Sequence, residues 1–360
     1  MSDIEYLLSE LHAHDRVGEQ LNAADGRIFL SGWNGRHPYV SQFLGDLLER
    51  LAAMSDRYTQ YSHMDEDPDL NEKLSGLHDW YGEPAIQPTR FAPGAGSSSF
   101  LTSLLFHVHR LGHKEICYVP PVYYNAICWI RDLNFRVTRV ARSAPLSGEV
   151  ELDLPQRRTC LWLTDPLWFA GVPMPRDVFE QVSAWQQATG SRVVVDGTFA
   201  YMEWAGSRAS GASNLDPDLT YRLVCPTKAL ALHGFRFAYA IVPSAASVDF
   251  TELHGRMHGA SSLADRLFAH RAIEVLGSGE PSLTLWRYVA QRHAAVRSSG
   301  LLLDEVEPTG GYFAFARLSL APDRAIALNS DCFDANEHTG FMRLNMLDDD
   351  VYGFITGDRQ

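Results

Sequence analysis

The sequence of 360 residues is poor in cysteine and in positive charge, and it contains no long apolar run. Its five cysteines are scattered without the spacing of a metal site, which favours a reduced, cytoplasmic protein over a disulfide scaffold. No apolar stretch could span a bilayer, which argues against a membrane protein. The N-terminus is acidic and lacks the apolar core of a signal peptide. The formal net charge of −13 argues against a nucleic-acid partner.

The composition is otherwise that of a globular protein large enough for two domains, with 46% hydrophobic and 21% charged residues. Short β-branched or aromatic runs alternate with helical patterns in the middle of the chain. The predicted strands are Glu115–Val119, Cys160–Thr164, Arg192–Asp196, Tyr221–Cys225 and Phe237–Val242. The predicted helices are Phe100–Leu111, Tyr124–Leu133 and Arg176–Ala188. This alternation predicts an α/β domain in which a mostly parallel sheet lies between helices.

The pattern changes near residue 251, where longer helices are predicted at Ala264–Leu276 and Pro281–Ser299. A short β-rich tail follows these helices. The start of the chain contains a helix and a short apolar run, and no strong linker separates them. We therefore predict a large domain at residues 45–250 and a small domain formed by residues 1–44 together with 251–360.

The most informative residue is Lys228, which follows an apolar strand pattern and precedes a Gly234-x-Arg236 motif. Upstream, Asp196 ends the β-branched run Val193–Val195. Ligands of open α/β sheets lie at the carboxyl ends of strands, where both residues are expected. A lysine amine can form a Schiff base with pyridoxal 5'-phosphate (PLP), an aspartate can pair with its pyridinium nitrogen, and an arginine can reach its phosphate. The spacing therefore predicts a PLP site.

Two upstream loops add to this pattern. The small residues of Gly94–Ser99 precede an apolar helix, where backbone N–H groups can bind a phosphate. Taken alone, such a loop is more often only a helix cap and turn. Tyr123 follows a predicted strand and could stack on a planar ring, or could simply pack in a rigid loop. The order of all these features along the chain is what favours a cofactor site.

With these motifs the chain resembles the class I/II aminotransferase superfamily of fold-type I PLP-dependent enzymes, from roughly Ile28 to Leu347. The resemblance implies a large PLP-binding α/β domain, a trimmed α+β small domain, and a homodimer with shared active sites. It also implies that Lys228 is the Schiff-base lysine and that Asp196 partners the pyridine nitrogen. The residues that would hold or stack on the cofactor are Gly96, Ser97, Ser98, Tyr123 and Arg236.

Three further residues carry roles that only the resemblance implies. Tyr61 looks like the tyrosine that reaches the cofactor phosphate of the neighbouring subunit. Arg343 looks like the arginine that binds the α-carboxylate of an amino-acid substrate, and Gly32 resembles a glycine that lines the same carboxylate site. A structural salt bridge is the alternative interpretation of Arg343.

Two of the departures from the family pattern concern the ring hydroxyl of the cofactor. Trp168 stands where an asparagine usually binds the ring hydroxyl of the cofactor, and Phe199 replaces the tyrosine that is its other usual partner. These changes favour specialised carbon-skeleton chemistry of secondary metabolism, such as β- or γ-elimination, replacement or cyclisation, through Schiff-base intermediates of an α-amino acid or an S-adenosylmethionine-like substrate. The alternatives are a plain amino-acid aminotransferase and a PLP-binding regulator without activity.

Overall fold

A computed structural model describes residues 2–23, 26–57, 59, 67–146, 150–206, 209–319 and 324–357. The helices are α1 (Asp3–Asn22), α2 (Val40–Leu44), α3 (Leu47–Ala53), α4 (Pro68–Trp80), α5 (Gly96–Arg110), α6 (Tyr124–Asp132), α7 (Arg176–Thr189), α8 (Pro226–Ala229), α9 (Ser247–His258), α10 (Leu263–Gly277), α11 (Glu280–Leu283), α12 (Leu285–Ser298) and α13 (Asp349–Thr356). The strands are β1 (Ile28–Phe29), β2 (Phe91–Gly94), β3 (Glu115–Tyr118), β4 (Arg136–Arg139), β5 (Cys160–Thr164), β6 (Arg192–Gly197), β7 (Thr220–Val224), β8 (Ala238–Ile241), β9 (Leu302–Val306), β10 (Phe313–Leu318), β11 (Ala325–Ile326) and β12 (Met342–Asn345).

A seven-stranded sheet forms the centre of the molecule, in the order β2-β8-β7-β6-β5-β3-β4. The strands from β7 to β4 in this order run parallel, while β8 is antiparallel to both of its neighbours. Every residue of β5 and β7 is buried, as expected for parallel strands whose two faces are both covered by helices. The predicted α/β architecture with a mostly parallel sheet is therefore confirmed.

Several predicted boundaries shift in instructive ways. The pattern at Pro281–Ser299 forms two helices, α11 and α12, because Thr284 between them has φ −119° and ψ −82°, which is not helical. The small-residue segment Gly94–Ser99 is not a separate loop, since it comprises the last residue of β2 and the first turn of α5. Lys228 lies in the short helix α8 just beyond β7, rather than on the strand itself.

A second, smaller sheet contains the antiparallel strands β12-β10-β9. The N-terminal segment reaches the same region, because β1 pairs in parallel with β11 through Ile28 and Ala325. Helix α1 packs on α6 and on a 3-10 helix at Ser330–Phe333. No helix in the part of the chain that the structure describes is long and apolar enough to cross a membrane. The proposed domain limits stay a prediction.

Candidate active site

One pocket at the carboxyl edge of the large sheet collects most of the predicted site residues. The strand register explains the convergence, because Thr164 at the end of β5 pairs with Asp196 near the end of β6. Lys228 lies just after the neighbouring strand β7, and helix α5 begins at the same edge of the sheet. The residues that line the pocket are Trp33, Ser97, Leu101, Tyr123, Thr164, Pro166, Trp168, Asp196, Thr198, Phe199 and Lys228. Six of these were predicted from the sequence.

Lys228 is partly buried in this pocket among aromatic rings. Its Nζ lies 5.1 Å from the ring centre of Trp33 and 5.7 Å from that of Phe199. Burial lowers the pKa of the Lys228 amine, and the nearby charges of Arg236 and Arg343 lower it further. A lysine with a lowered pKa has more of its amine in the neutral form, which is the nucleophilic and proton-accepting form.

Asp196 is buried and held in one orientation by Thr198. The Oδ1 atom of Asp196 accepts hydrogen bonds from the Thr198 hydroxyl at 2.6 Å and from the Thr198 backbone N–H at 3.2 Å. Burial raises the pKa of the Asp196 carboxyl, and these hydrogen bonds oppose the rise. No ion pair to Asp196 is present among the described residues. Because an unpaired buried carboxylate is costly, the position suits a positively charged ring nitrogen of a ligand.

The first turn of α5 forms a cradle with Arg236. Gly96 has φ +74°, which L side chains rarely adopt, and a Cβ atom placed there would lie 2.5 Å from Arg236 Nη2. The glycine therefore permits close approach of the guanidinium to the helix N-terminus, where backbone N–H groups are free to bind an anion. Ser97 lines the pocket, whereas the side chain of Ser98 is exposed. A phosphate group fits this donor set.

The opposite wall of the pocket is aromatic. Trp168 packs edge-on against Tyr123, with 6.2 Å between the ring centres. Phe199 packs against Tyr312 and Phe313 at 5.8 and 6.0 Å. The buried Nε1 of Trp168 has no hydrogen-bond partner within the described part of the chain. Of the two residues at the unusual positions, only Trp168 can donate a hydrogen bond, so these two positions offer at most one donor where the family pattern has two.

Arg343 does not line this pocket, because it is buried behind Trp33. Its guanidinium carbon lies 4.2 Å from the Trp33 ring centre and 4.4 Å from that of Phe313. Its Nη2 donates to the backbone oxygen of Ser31, and burial lowers the pKa of Arg343 to about 9. No carboxylate pairs with Arg343 among the described residues, so the alternative of a structural salt bridge does not apply there. The backbone oxygen of Gly32 accepts a hydrogen bond from Asn345 at 2.8 Å.

Five of the eleven residues that line the pocket were not predicted as site residues, and two of these five, Trp33 and Thr198, contact predicted ones. Trp33 contacts both Lys228 and Arg343, and its only sequence signal is that it follows the predicted Gly32. Thr198 orients Asp196 through a hydrogen bond. The sequence feature that could have indicated this role is a hydroxyl residue two positions after an acid, a spacing that allows local hydrogen bonds. The predicted Tyr61 lies outside the described residues.

The sequence profile described as aminotransferase class I and II matches residues 40–317, which is most of the chain. The chain belongs to this family. Its members are PLP-dependent enzymes, so the predictions of family, enzymatic activity and cofactor are confirmed. No curated protein matches the chain by sequence.

Solved structures share the fold at low sequence identity. Substrate-bound BacF from Bacillus subtilis is 15% identical with a TM-score of 0.78, over 96% of this chain and 93% of that one. Aspartate aminotransferase from Thermus thermophilus with maleate is 18% identical with a TM-score of 0.74, over 97% and 94%. Aspartate aminotransferase from Thermotoga maritima is 14% identical with a TM-score of 0.74, over 96% and 94%. These similarities confirm the fold-type I architecture and carry no information about the substrate.

Proposed function

We propose that this enzyme acts on an α-amino acid, with Lys228 as the residue that binds the cofactor covalently and then moves a proton at the substrate. The observation that carries the proposal is the shared pocket of Lys228, Asp196, Ser97 and Tyr123. Bound PLP would supply an aldehyde that condenses with amines and a ring that accepts electrons from the carbon beside the amine. The cradle of Gly96 and Arg236 would hold its phosphate.

The protein residues would divide the remaining work. Asp196 would keep the ring nitrogen protonated, and Thr198 would fix the orientation of that carboxylate. Lys228, once released from the cofactor, would be the base that removes the proton from the substrate Cα, because its lowered pKa favours the neutral amine. Arg343 would bind the α-carboxylate bidentately, through Nη2 together with Nε or Nη1. The Nε and Nη1 atoms are unpartnered within the described residues, and Nη2 has two N–H groups, one of which donates to the backbone oxygen of Ser31.

We further propose specialised carbon-skeleton chemistry, in which elimination, replacement or cyclisation changes the bonds at Cβ or Cγ of the substrate. The support is the aromatic wall, where Trp168 and Phe199 stand in place of two hydrogen-bonding residues. Water-excluding rings favour a shaped, apolar pocket around the reacting carbon atoms. Plain transamination is the second candidate, and membership of the aminotransferase family favours it.

Product analysis distinguishes these two reactions. The purified holoenzyme is incubated with a panel of amino acids and S-adenosylmethionine, with and without an α-keto acid as amino acceptor. Elimination, replacement or cyclisation predicts products that have lost or exchanged a substituent at Cβ or Cγ, or that contain a new ring, with no requirement for the acceptor. A product that is simply the matching keto acid, formed only with the acceptor, would replace our proposal by transamination. The Lys228→Ala variant is the control for catalysis at this site.

We also propose a homodimer in which Tyr61 reaches the cofactor phosphate of the other subunit. Mixing a Lys228→Ala chain with a Tyr61→Phe chain should regenerate one site that contains both native residues. Activity of the mixture above that of either variant alone supports shared sites. No recovery in a mixture that exchanges subunits argues against them.

A further inference from the structure

The indole of Trp33 contacts both charged groups that an amino-acid substrate would have to engage. Its ring centre lies 5.1 Å from Lys228 Nζ and 4.2 Å from the guanidinium carbon of Arg343. The amine and the carboxylate of one α-amino acid would have to approach these same two groups. Trp33 therefore stands in the region that the substrate needs.

Arg343 is a cation without a counterion in this arrangement. It is fully buried, and its Nε and Nη1 atoms have no hydrogen-bond partner among the residues that the structure describes. The faces of Trp33 and Phe313 stabilise its charge through cation–π contacts, which are weaker than a bidentate bond to a carboxylate. A carboxylate that could reach Arg343 would therefore bind it in preference to the indole.

The backbone around Trp33 is held in place, so its side chain is the part that can move. The Nδ2 atom of Asn345 donates to the backbone oxygens of Gly32 and Asn34, at 2.8 and 2.7 Å, on the two sides of Trp33. The backbone N–H of Arg36 also donates to Leu347. Trp33 itself is only partly buried. Rotation of the indole would uncover Arg343 without moving the segment.

We propose that Trp33 covers Arg343 in the free enzyme and is displaced from the guanidinium by the α-carboxylate of the substrate. The proposal rests on the role of Arg343 in the proposed function. An amine that lacks a carboxylate cannot replace the indole on the guanidinium, so it gains nothing from the arginine. Displacing Trp33 costs free energy, and this cost lowers the affinity for every carboxylate ligand. The reason is that a carboxylate binds Arg343 only when the indole has moved away.

The test uses the holoenzyme and two small probes. The first is 2-methylpropanoate, which resembles alanine with a methyl group in place of the amine, and its binding is measured by calorimetry. The second is ethylamine, which is alanine without its carboxylate, and its binding is followed by cofactor absorbance. In Trp33→Leu the cover is removed, and 2-methylpropanoate should bind roughly ten- to thirtyfold more tightly, the range expected for a desolvated cation–π contact. Ethylamine should change by less than about twofold.

A matched control is Phe333→Leu, which removes another ring from Arg343. Phe333 lies 5.6 Å from the guanidinium carbon and does not line the Lys228 pocket. Because Phe333 can stay in place when the carboxylate binds, its loss should leave the affinity for 2-methylpropanoate nearly unchanged. If Trp33→Leu does not fold, Trp33→Phe keeps the test open and should tighten binding by a smaller factor.

Three results would overturn the proposal, and they separate it from the proposed function. Unchanged or weaker carboxylate binding in the Trp33 variant, with binding still lost in Arg343→Ala, removes only the role of Trp33. Equal tightening in the Phe333 control shows a general loosening of the site. Carboxylate binding that is insensitive to Arg343→Ala removes the role of Arg343 as well, and with it that part of the proposed function.

Discussion

The two halves of the candidate site are built differently. Asp196 lies near the carboxyl end of β6 and Lys228 just beyond that of β7, both interior strands of the seven-stranded sheet, and Asp196 is fixed by two hydrogen bonds. Arg343 comes from a strand of the smaller sheet, and aromatic faces cover it while two of its nitrogens lack partners in the described structure. Under our proposals, the cofactor half is preorganised, whereas the carboxylate half rearranges before it binds its ligand.

The largest expected effect tests the preorganised half. Lys228→Ala should abolish covalent attachment of the cofactor and reduce turnover to background, because no other predicted site residue is an amine. Weak PLP binding should remain through the phosphate cradle. Borohydride reduction followed by peptide mapping measures the attachment in the native enzyme and the variant. Label on a different lysine of the native enzyme would refute the whole site assignment.

The next largest effect tests the carboxylate half. Arg343→Ala should weaken binding of amino acids by about 2–5 kcal/mol while PLP stays bound, because a buried bidentate charge pair is lost. Arg343→Lys keeps a charge without the planar fork and should recover only part of the affinity. Substrate titrations followed by cofactor absorbance measure both variants. An unchanged KM in Arg343→Ala would mean that the residue is structural.

A smaller effect should follow from loosening Asp196. Thr198→Val removes the 2.6 Å hydrogen bond from the hydroxyl and keeps the size of the side chain and the backbone N–H. Hydrogen bonds to charged groups contribute about 1.5–3 kcal/mol, so the affinity for PLP should fall about tenfold or more. Equilibrium dialysis of the cofactor measures this, and Thr198→Ser is the matched control that should restore binding. If both variants bind PLP like the native enzyme, Asp196 does not depend on Thr198.

The smallest expected effect concerns the aromatic wall. The protonated nitrogen that joins Lys228 to PLP stabilises the negative charge on the ring oxygen of the cofactor. When this nitrogen loses its proton, a nearby hydrogen-bond donor can stabilise the negative charge instead. Phe199→Tyr adds such a donor, so the pKa of this nitrogen should fall by up to about one unit, or about 1.4 kcal/mol. The native enzyme should therefore keep the protonated, yellow form to a higher pH than the variant. Identical spectrophotometric titration curves for the native enzyme and Phe199→Tyr would place Phe199 away from the ring oxygen. They would also weaken the case for elimination, replacement or cyclisation.

Sequence patterns predicted the large sheet well because its strands are continuous apolar runs. The limits predicted for Cys160–Thr164 agree with β5, and the end of Arg192–Asp196 differs from that of β6 by one residue. The short strands β2 and β4 were missed. Phe91–Gly94 contains a proline and a glycine, and Arg136–Arg139 contains three polar residues and begins with an exposed one, so neither has the composition of a buried strand.

The sequence by itself predicted the convergence of the cofactor half, because a lysine, an aspartate and a small-residue helix start that all follow strand ends meet at one edge of a parallel sheet. The tertiary structure alone decided the state of the carboxylate half. Arg343 and Trp33 are 310 residues apart, and neither has a periodic pattern that would bring them together. Their contact depends on the pairing of β1 with β11 and on the hydrogen bonds of Asn345, which are long-range interactions that no local pattern encodes.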